Sequence, residues 1–371
     1  MRRWYWKTIS GESSGLMPAL LRGILRAASL PYSTVVALRN RAFDRAWKRP
    51  VRLGVPVVSI GNITTGGTGK TPTVIMVVKQ LQALGNRPAV LTRGYGAKSG
   101  KTPDEVLVMQ RECPGLPIIV NPDRVAGGRA AINDHHADVL VLDDGFQHRR
   151  LARDLNVVLV DATMPMGIPG LLPRGTWREP PHHLARADAI MLTRCEQVTE
   201  ELADLAAGLL SQWVTPRHIF QQSTRVVGLF DSAGMPVEPS GQRVVVFAGI
   251  GNPEGFLRTV RGMNLNVSAA FWFKDHYPYD NAADFAKLEA LLRRRPVDAL
   301  VTTMKDWVKV QHLPLPAPVW NVQIDCFIKG VGEGHWKTLL ASKTAAVLAD
   351  SKPAVANAVG PDLRTAQSAP Q

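Results

Sequence analysis

One stretch constrains this chain more than any other. Val57-Val58-Ser59-Ile60 leads into Gly61-Asn62-Ile63-Thr64-Thr65-Gly66-Gly67-Thr68-Gly69-Lys70-Thr71-Pro72, and a helix-compatible run follows from Thr73 to Leu84. Strand, glycine loop, Lys-Thr and helix stand in the order of a phosphate-binding loop. Glycines let backbone N–H groups turn inward around phosphate oxygens, and the helix N-terminus adds positive potential. On this reading Thr64, Thr65, Gly66, Gly67, Thr68, Gly69, Lys70 and Thr71 cradle ATP. Lys70 reaches the β- and γ-phosphates, and Thr71 offers a hydroxyl to Mg2+. The first glycine of the general pattern is Thr64 here. The competing reading is a glycine-rich turn with a surface lysine, and the flanking strand and helix weigh against it.

A second strand, Val139-Leu140-Val141-Leu142, ends in Asp143-Asp144. A carboxylate there suits Mg2+, a hard cation that prefers oxygen ligands. Asp144-Gly145 is also good turn chemistry; beside a phosphate loop the metal reading is the stronger of the two. Other short β-branched runs (Ala89 to Thr92, Ile118 to Val120, Val157 to Val160, Ile190 to Thr193) alternate with helical stretches, the rhythm of a parallel sheet. A further set begins near Val226, with runs at Val244 to Phe247, Val267 to Phe273 and Leu300 to Thr303. The expected fold class is therefore α/β: a P-loop NTPase-like, mainly parallel sheet with a second, smaller α/β domain and an N-terminal amphipathic helix. The expected divisions are residues 1–50, 51–225, 226–345 and a disordered tail, 346–371, rich in Ala, Ser and Pro.

Charge is unevenly placed. The formal net charge is +13, and residues 1–50 hold ten Lys or Arg against only Glu12 and Asp44. Met17, Leu20, Leu21, Ile24, Leu25 and Ala28 recur at helical spacing while Arg22 and Arg26 share another face. No uncharged stretch there approaches the roughly 20 residues of a membrane span, and the arginines interrupt any signal-peptide core. Two readings stay open: a helix packed on the core, or an interfacial helix on an anionic membrane. Trp4, Tyr5 and Trp6 beside Arg2, Arg3 and Lys7 favour the membrane. Cys113, Cys195 and Cys326 are widely spaced, which argues against a disulfide framework and a zinc ribbon and suits a reducing compartment. His135-His136 and His182-His183 lack metal-ligand spacing and read as surface residues. His276, in Asp275-His276-Tyr277 after an aromatic-rich run, can act as a base if a carboxylate orients it.

Taken together, several blocks resemble the tetraacyldisaccharide 4′-kinase family of lipid A biosynthesis. They are the phosphate loop, Thr92-Arg93-Gly94-Tyr95-Gly96, Leu142-Asp143-Asp144-Gly145-Phe146-Gln147-His148-Arg149, Leu172-Pro173-Arg174-Gly175 with Arg178-Glu179-Pro180, Phe273-Lys274-Asp275-His276, and Thr303-Met304-Lys305-Asp306. The resemblance implies transfer of the ATP γ-phosphate to the 4′-hydroxyl of a lipid A disaccharide 1-phosphate precursor, giving a lipid IV-A type product. It implies a catalytic pair, Asp104 with His276, working with Lys70. It places Asp143, Asp144 and Glu179 with Thr71 around Mg2+, and Arg93, Tyr95 and His148 toward the lipid. The family's usual setting around the aspartate appears here as Pro103-Asp104-Glu105-Val106. The implied location is peripheral, on the cytoplasmic face of the inner membrane of a Gram-negative-type bacterium, with an anionic surface and no nucleic acid as partner. The alternative is a partition-type P-loop ATPase acting as a membrane- or DNA-associated switch, which expects a signature lysine where Thr65 stands. A nucleic-acid module is disfavoured because the excess charge lies in an apolar helix rather than among aromatic residues on a groove.

Overall fold

The computed structural model describes residues 2–94, 102–279, 285–294 and 296–351. Two helices come first, α1 (Arg2–Ser10) and α2 (Leu16–Asp44). Pro31 lies inside α2 without ending it. Then follow β1 (Val57–Asn62), α3 (Lys70–Ala83), β2 (Pro88–Thr92), α4 (Asp104–Glu112), β3 (Ile118–Val120), α5 (Arg124–His135), β4 (Val139–Asp143), β5 (Leu155–Asp161), β6 (Ala189–Thr193) and α6 (Glu200–Leu210). The strands β1, β2 and β4 are buried along their whole length. Continuous apolar runs of this kind belong to parallel strands covered on both faces.

A long strand, β7 (Ile219–Phe230), leads into the second half: β8 (Pro236–Val237), β9 (Arg243–Ala248), α7 (Pro253–Arg261), β10 (Asn266–Trp272), α8 (Ala286–Arg294), β11 (Ala299–Thr303), α9 (Met304–Val310) and β12 (Val319–Ile328). The last element among the described residues is α10 (Gly332–Ser351). All the strands join one 12-stranded sheet in the order β10-β9-β11-β12-β7-β6-β5-β1-β4-β2-β3, with β8 paired on β7. The order β7-β6-β5-β1-β4-β2-β3 is parallel throughout, and so is β10-β9-β11-β12. They meet where β7 and β12 run antiparallel, from Gln222 opposite Ile328 to Phe230 opposite Asn321.

Only Ile219, Phe220 and Gln221 of β7 pair with β6. Beyond them β7 leaves the first sheet in the direction of its parallel neighbours, and β12 brings the chain back. The strands β9, β10 and β11 are parallel to β12, so their C-terminal ends point back toward the C-terminal ends of the first sheet. Position 225, where the sequence suggested a boundary, lies inside β7 rather than in a linker.

Nor does α10 belong with the second half. Trp336 and Leu340 are fully buried in the same cluster as Val74, Val77 and Leu81 of α3 and Phe220 of β7. The Trp336 indole N–H donates to Gln80 Oε1 at 2.7 Å. The second half is thus inserted between β7 and α10. Helix α10 also runs through residues 346–351, which composition had assigned to a disordered tail; residues 352–371 lie outside the described ones. No described helix is long and apolar enough to cross a membrane. All three cysteines are free and buried.

If α10 completes the first core, Trp336→Ala should destabilise the protein by about 3–5 kcal/mol. Trp336→Phe keeps most of the packing and loses the bond to Gln80, which is worth about 1 kcal/mol. Urea unfolding of both variants checks the order; equal stability of Trp336→Ala and wild type would remove α10 from the core.

Candidate active site

The phosphate loop joins β1 to α3, and its β1 end is fixed by close packing. A Cβ on Gly61 would stand 2.5 Å from the Phe146 backbone nitrogen, so only glycine lets the strand pass the segment that follows β4. Gly66 and Gly69 have φ of 117° and 81°, values that suit glycine. Thr65 N–H donates to Thr176 O at 2.7 Å, Asn62 Nδ2 to Thr64 O at 2.6 Å, and Thr193 Oγ1 to Thr68 O at 3.1 Å. Arg194, just after β6, donates to the Gly67 carbonyl and pairs with Asp161. The loop is braced from three sides before any phosphate arrives.

Lys70 opens α3. Its Nζ donates to Asn62 Oδ1 at 3.3 Å and lies 3.8 Å from Asp144 Oδ1. Arg178 forks onto both Asp144 oxygens, at 2.7 and 3.0 Å, and also reaches Asn62 Oδ1 at 3.2 Å. Burial works against the charge of Asp144, but Arg178 and Lys70 outweigh it and hold the carboxyl below its ordinary range. Asp143 is different. It is buried, accepts from Thr92 Oγ1 at 3.1 Å, and burial together with the neighbouring Asp144 raises it to about 6.

These observations decide what can meet a cation. Among the described residues Asp143 has only the Thr92 hydroxyl as a hydrogen-bond donor, and Thr71 Oγ1 has no partner. Two hard oxygens near the phosphate loop, one on an under-neutralised carboxylate, fit Mg2+.

Glu179 does not fit that role. It is fully buried, and its carboxylate takes Arg39 Nη2 at 3.1 Å, Asn40 Nδ2 at 2.8 Å, His183 Nδ1 at 2.7 Å and Arg186 Nη2 at 2.8 Å. Despite burial, these partners bring it down to about 2. With two guanidinium groups already on it, the carboxylate serves as the anchor that fixes α2 to the core. His183, read from sequence as a surface residue, is one of its partners.

The second half delivers His276, at φ 58° after β10. Its Nδ1 lies 3.2 Å from Asp104 Oδ2, in the first turn of α4. Lys305 Nζ lies 3.2 Å from Nε2, and since an ammonium only donates, Nε2 accepts and the Nδ1–H of the neutral ring points at Asp104. Lys309 Nζ reaches the same Asp104 oxygen at 3.2 Å and the buried Asp306 at 3.3 Å. Burial opposes the Asp104 charge, but His276 and Lys309 hold its carboxyl below the ordinary range. The bond to Asp104 raises His276, against burial and Lys305.

Of the residues expected to face a lipid, Arg93 is exposed beyond the end of β2. His148 is half-buried with Nδ1 unpartnered; burial and the charges of Arg124 and Arg153 lower it to about 4. Tyr95 lies outside the described residues. Arg124 is buried at the start of α5, within electrostatic range of Arg93, Asp143 and Asp144. Reading by motif gave no role to Arg124, Asn62, Arg178, Lys305 or Lys309. Arg178 and Lys305 did lie inside quoted blocks, whereas Arg124 carries no local signal beyond the capping Asp123 before it.

Asp143 holds its proton more tightly folded than unfolded, so the stability it contributes is present below about pH 4 and is lost as pH rises through about 6. Asp143→Asn should therefore stabilise the metal-free protein at pH 8 by on the order of 2–3 kcal/mol, with the gain vanishing at pH 4, while impairing the metal dependence of catalysis. Thermal melts at the two pH values and a Mg2+ titration check it; a variant less stable at pH 8 would contradict the burial argument.

Known proteins match this arrangement over most of its length. The family model for tetraacyldisaccharide-1-P 4'-kinase matches residues 21–344. A tetraacyldisaccharide 4'-kinase of Syntrophus aciditrophicus is 39% identical over 333 residues, covering 81% of this chain and 88% of the relative. One from Anaeromyxobacter dehalogenans (strain 2CP-C) is 36% identical over 322 residues, with 81% and 84% covered. Among solved structures, LpxK from Aquifex aeolicus in complex with ATP superimposes with a TM-score of 0.70 at 27% identity, covering 87% of this chain and 99% of that one. Phosphate loop, facing sheet edges and near-complete coverage agree, and the chain belongs to the tetraacyldisaccharide-1-P 4'-kinase family.

Proposed function

We propose that the chain transfers the γ-phosphate of ATP to the 4′-hydroxyl of a tetraacyldisaccharide 1-phosphate, a lipid A precursor, and that Asp104 and His276 handle the proton. The observation that carries the assignment of roles is the hydrogen bond between these two residues, one from each half of the chain.

A sugar hydroxyl is a poor nucleophile at neutral pH, and in a loose phosphoryl-transfer transition state it becomes acidic only as the new P–O bond forms. A weak base is then sufficient. Asp104 Oδ2 is held by His276 and Lys309, which leaves Oδ1 to take the proton. Lys70 follows the charge that develops on the transferred group, and Asn62 Oδ1 orients it beside Arg178 by accepting from both. Such donors are oriented before reaction, so little reorganisation is required. Mg2+, held by Thr71 and Asp143 with Asp144 beside them, would neutralise β- and γ-phosphate oxygens. Arg93, Arg124 and His148 form the side of the site suited to an anionic lipid headgroup, with Tyr95 assigned there by resemblance. The partition-type ATPase reading is not favoured, since family and relatives alike are kinases.

A membrane-facing role for the N-terminus is supported by exposure. Leu16, Met17, Leu20 and Ile24 of α2 lie open to solvent, at 85%, 69%, 57% and 57%. The helix is nonetheless fixed by the Glu179 anchor and by Tyr32 O–H donating to Arg178 O at 2.9 Å. An apolar face that the core does not use, on a basic helix, suits an anionic interface.

Asp104→Ala and His276→Ala should each reduce turnover by about 10²-fold or more with little change in ATP affinity. The double variant should be little worse than the worse single one, as for groups acting as a unit. Additive losses, or a large rise in the ATP dissociation constant, would separate their roles. For the membrane, Leu20→Glu with Ile24→Glu should lower partitioning onto phosphatidylglycerol vesicles about tenfold or more. Unchanged partitioning would mean that this face is not the contact.

A further inference from the structure

Arginine collects at one place that the phosphoryl-transfer site does not use. A half-open cleft of about 390 Å3 is lined by Arg52, Arg149, Arg153 and Arg186, with Asn156 and Asp188 beside them. Arg52 precedes β1, Arg153 precedes β5 and Asp188 precedes β6. The cleft therefore opens at the N-terminal ends of these strands, whereas Lys70 stands at their C-terminal ends. The seven residues of β5 separate the two, about 20 Å at roughly 3.3 Å per residue.

The charges in the cleft are incompletely matched. Among the described residues Asp188 is the only carboxylate in its lining, and its side chain already accepts from Asn156 N–H and pairs with Lys343. Arg52 pairs with Asp154 at 3.1 Å while three-quarters exposed, and Arg149 pairs with the exposed Asp44 at 2.7 Å. In each pair one member, Arg52 or Asp44, is open to solvent, which screens the attraction. Arg153 has no carboxylate partner among the described residues. It donates to the carbonyls of Gly145 and Phe146 at 3.3 and 3.0 Å and to Asn156 Oδ1 at 3.4 Å. Burial and the like charges of Arg186 and Arg149 lower it to about 10, so it stays charged at neutral pH. Arg186 is already neutralised by the buried Glu179 at 2.8 Å. The guanidinium groups of Arg52, Arg149 and Arg153 around one opening, the last without a carboxylate partner among the described residues, form a receptor for a group with several acceptor oxygens, because the planar fork matches phosphate geometry.

We propose that this cleft is a second anion site, separate from the phosphate loop, which takes a phosphate ester: the headgroup of an anionic phospholipid or a free phosphate monoester. Both ligands present the same oxygens. The C-terminal part of α2 is joined to one lining residue, since Asn40 O accepts from Arg149 at 3.2 Å, which places the cleft beside the helix assigned to the membrane.

The test uses the full-length protein with its phosphate loop filled by a saturating, non-hydrolysable ATP analogue and Mg2+. Glycerol 3-phosphate is titrated calorimetrically, and vesicles of phosphatidylglycerol in phosphatidylcholine are titrated by co-sedimentation. Arg52→Gln and Arg149→Gln should each weaken binding of at least one probe about tenfold, less at high salt than at low salt. Weakening confined to vesicles identifies the lipid headgroup, and weakening with glycerol 3-phosphate identifies the free ester. Arg153→Gln should show the largest loss; the exposed Arg52 keeps the test decisive if the deeper variant does not fold. Wild-type binding of both probes by Arg52→Gln and Arg149→Gln overturns the proposal.

Discussion

The antiparallel pairing of β7 with β12 is the constraint on which the site depends. Had the second half continued the first sheet in parallel, its C-terminal ends would have lain along the same edge as Lys70, pointing away from it. One antiparallel pair reverses the second set of strands. Loops at the C-terminal ends of parallel strands are where α/β proteins gather their chemistry. Here two such edges face each other, one carrying phosphate-binding groups and the other His276 with Lys305 and Lys309. A sugar hydroxyl and a nucleotide can then be presented from opposite walls.

Around that cleft, two buried carboxylates show opposite uses of charge. Glu179 is surrounded by donors, and its charge is stable because removing it from water is offset by two guanidinium groups, an amide and an imidazole. It builds structure. Asp143 is left short of donors, and burial beside Asp144 raises its pKa. Carboxylates that are poorly satisfied in a cleft are frequent at functional sites. The adjacent Asp144, forked by Arg178, lies between these extremes.

How much of this could be read in the sequence follows from how local each signal is. The phosphate loop, the apolar strands β1 to β6 and the Asp143-Asp144 pair depend on neighbours within a dozen residues, and they are found where the pattern puts them. The strands β7 and β12 escaped because their faces are mixed: Gln221, Gln222, Ser223, Thr224 and Arg225 in one, Asn321, Gln323 and Asp325 in the other. Each is a strand largely because the other is present. The partnership of Asp104 with His276 spans 172 positions and left no trace in either segment, and only resemblance to a family suggested it. Glu179, placed by resemblance at the metal, has buried partners drawn from α2 and the segment after it that sequence order does not reveal.

The return of α10 has a consequence for how the molecule is made. Ribosomes deliver a chain from its N-terminus, and domains usually fold as they emerge. Here the surface of α3 that accepts Trp336 and Leu340 is synthesised early, while its cover arrives near the end of the described chain. For most of translation the nascent kinase therefore carries an unfinished apolar surface, and neither half can mature as a separate unit ahead of the other. Truncations before α10 should be expected to engage chaperones rather than to yield a smaller, active protein.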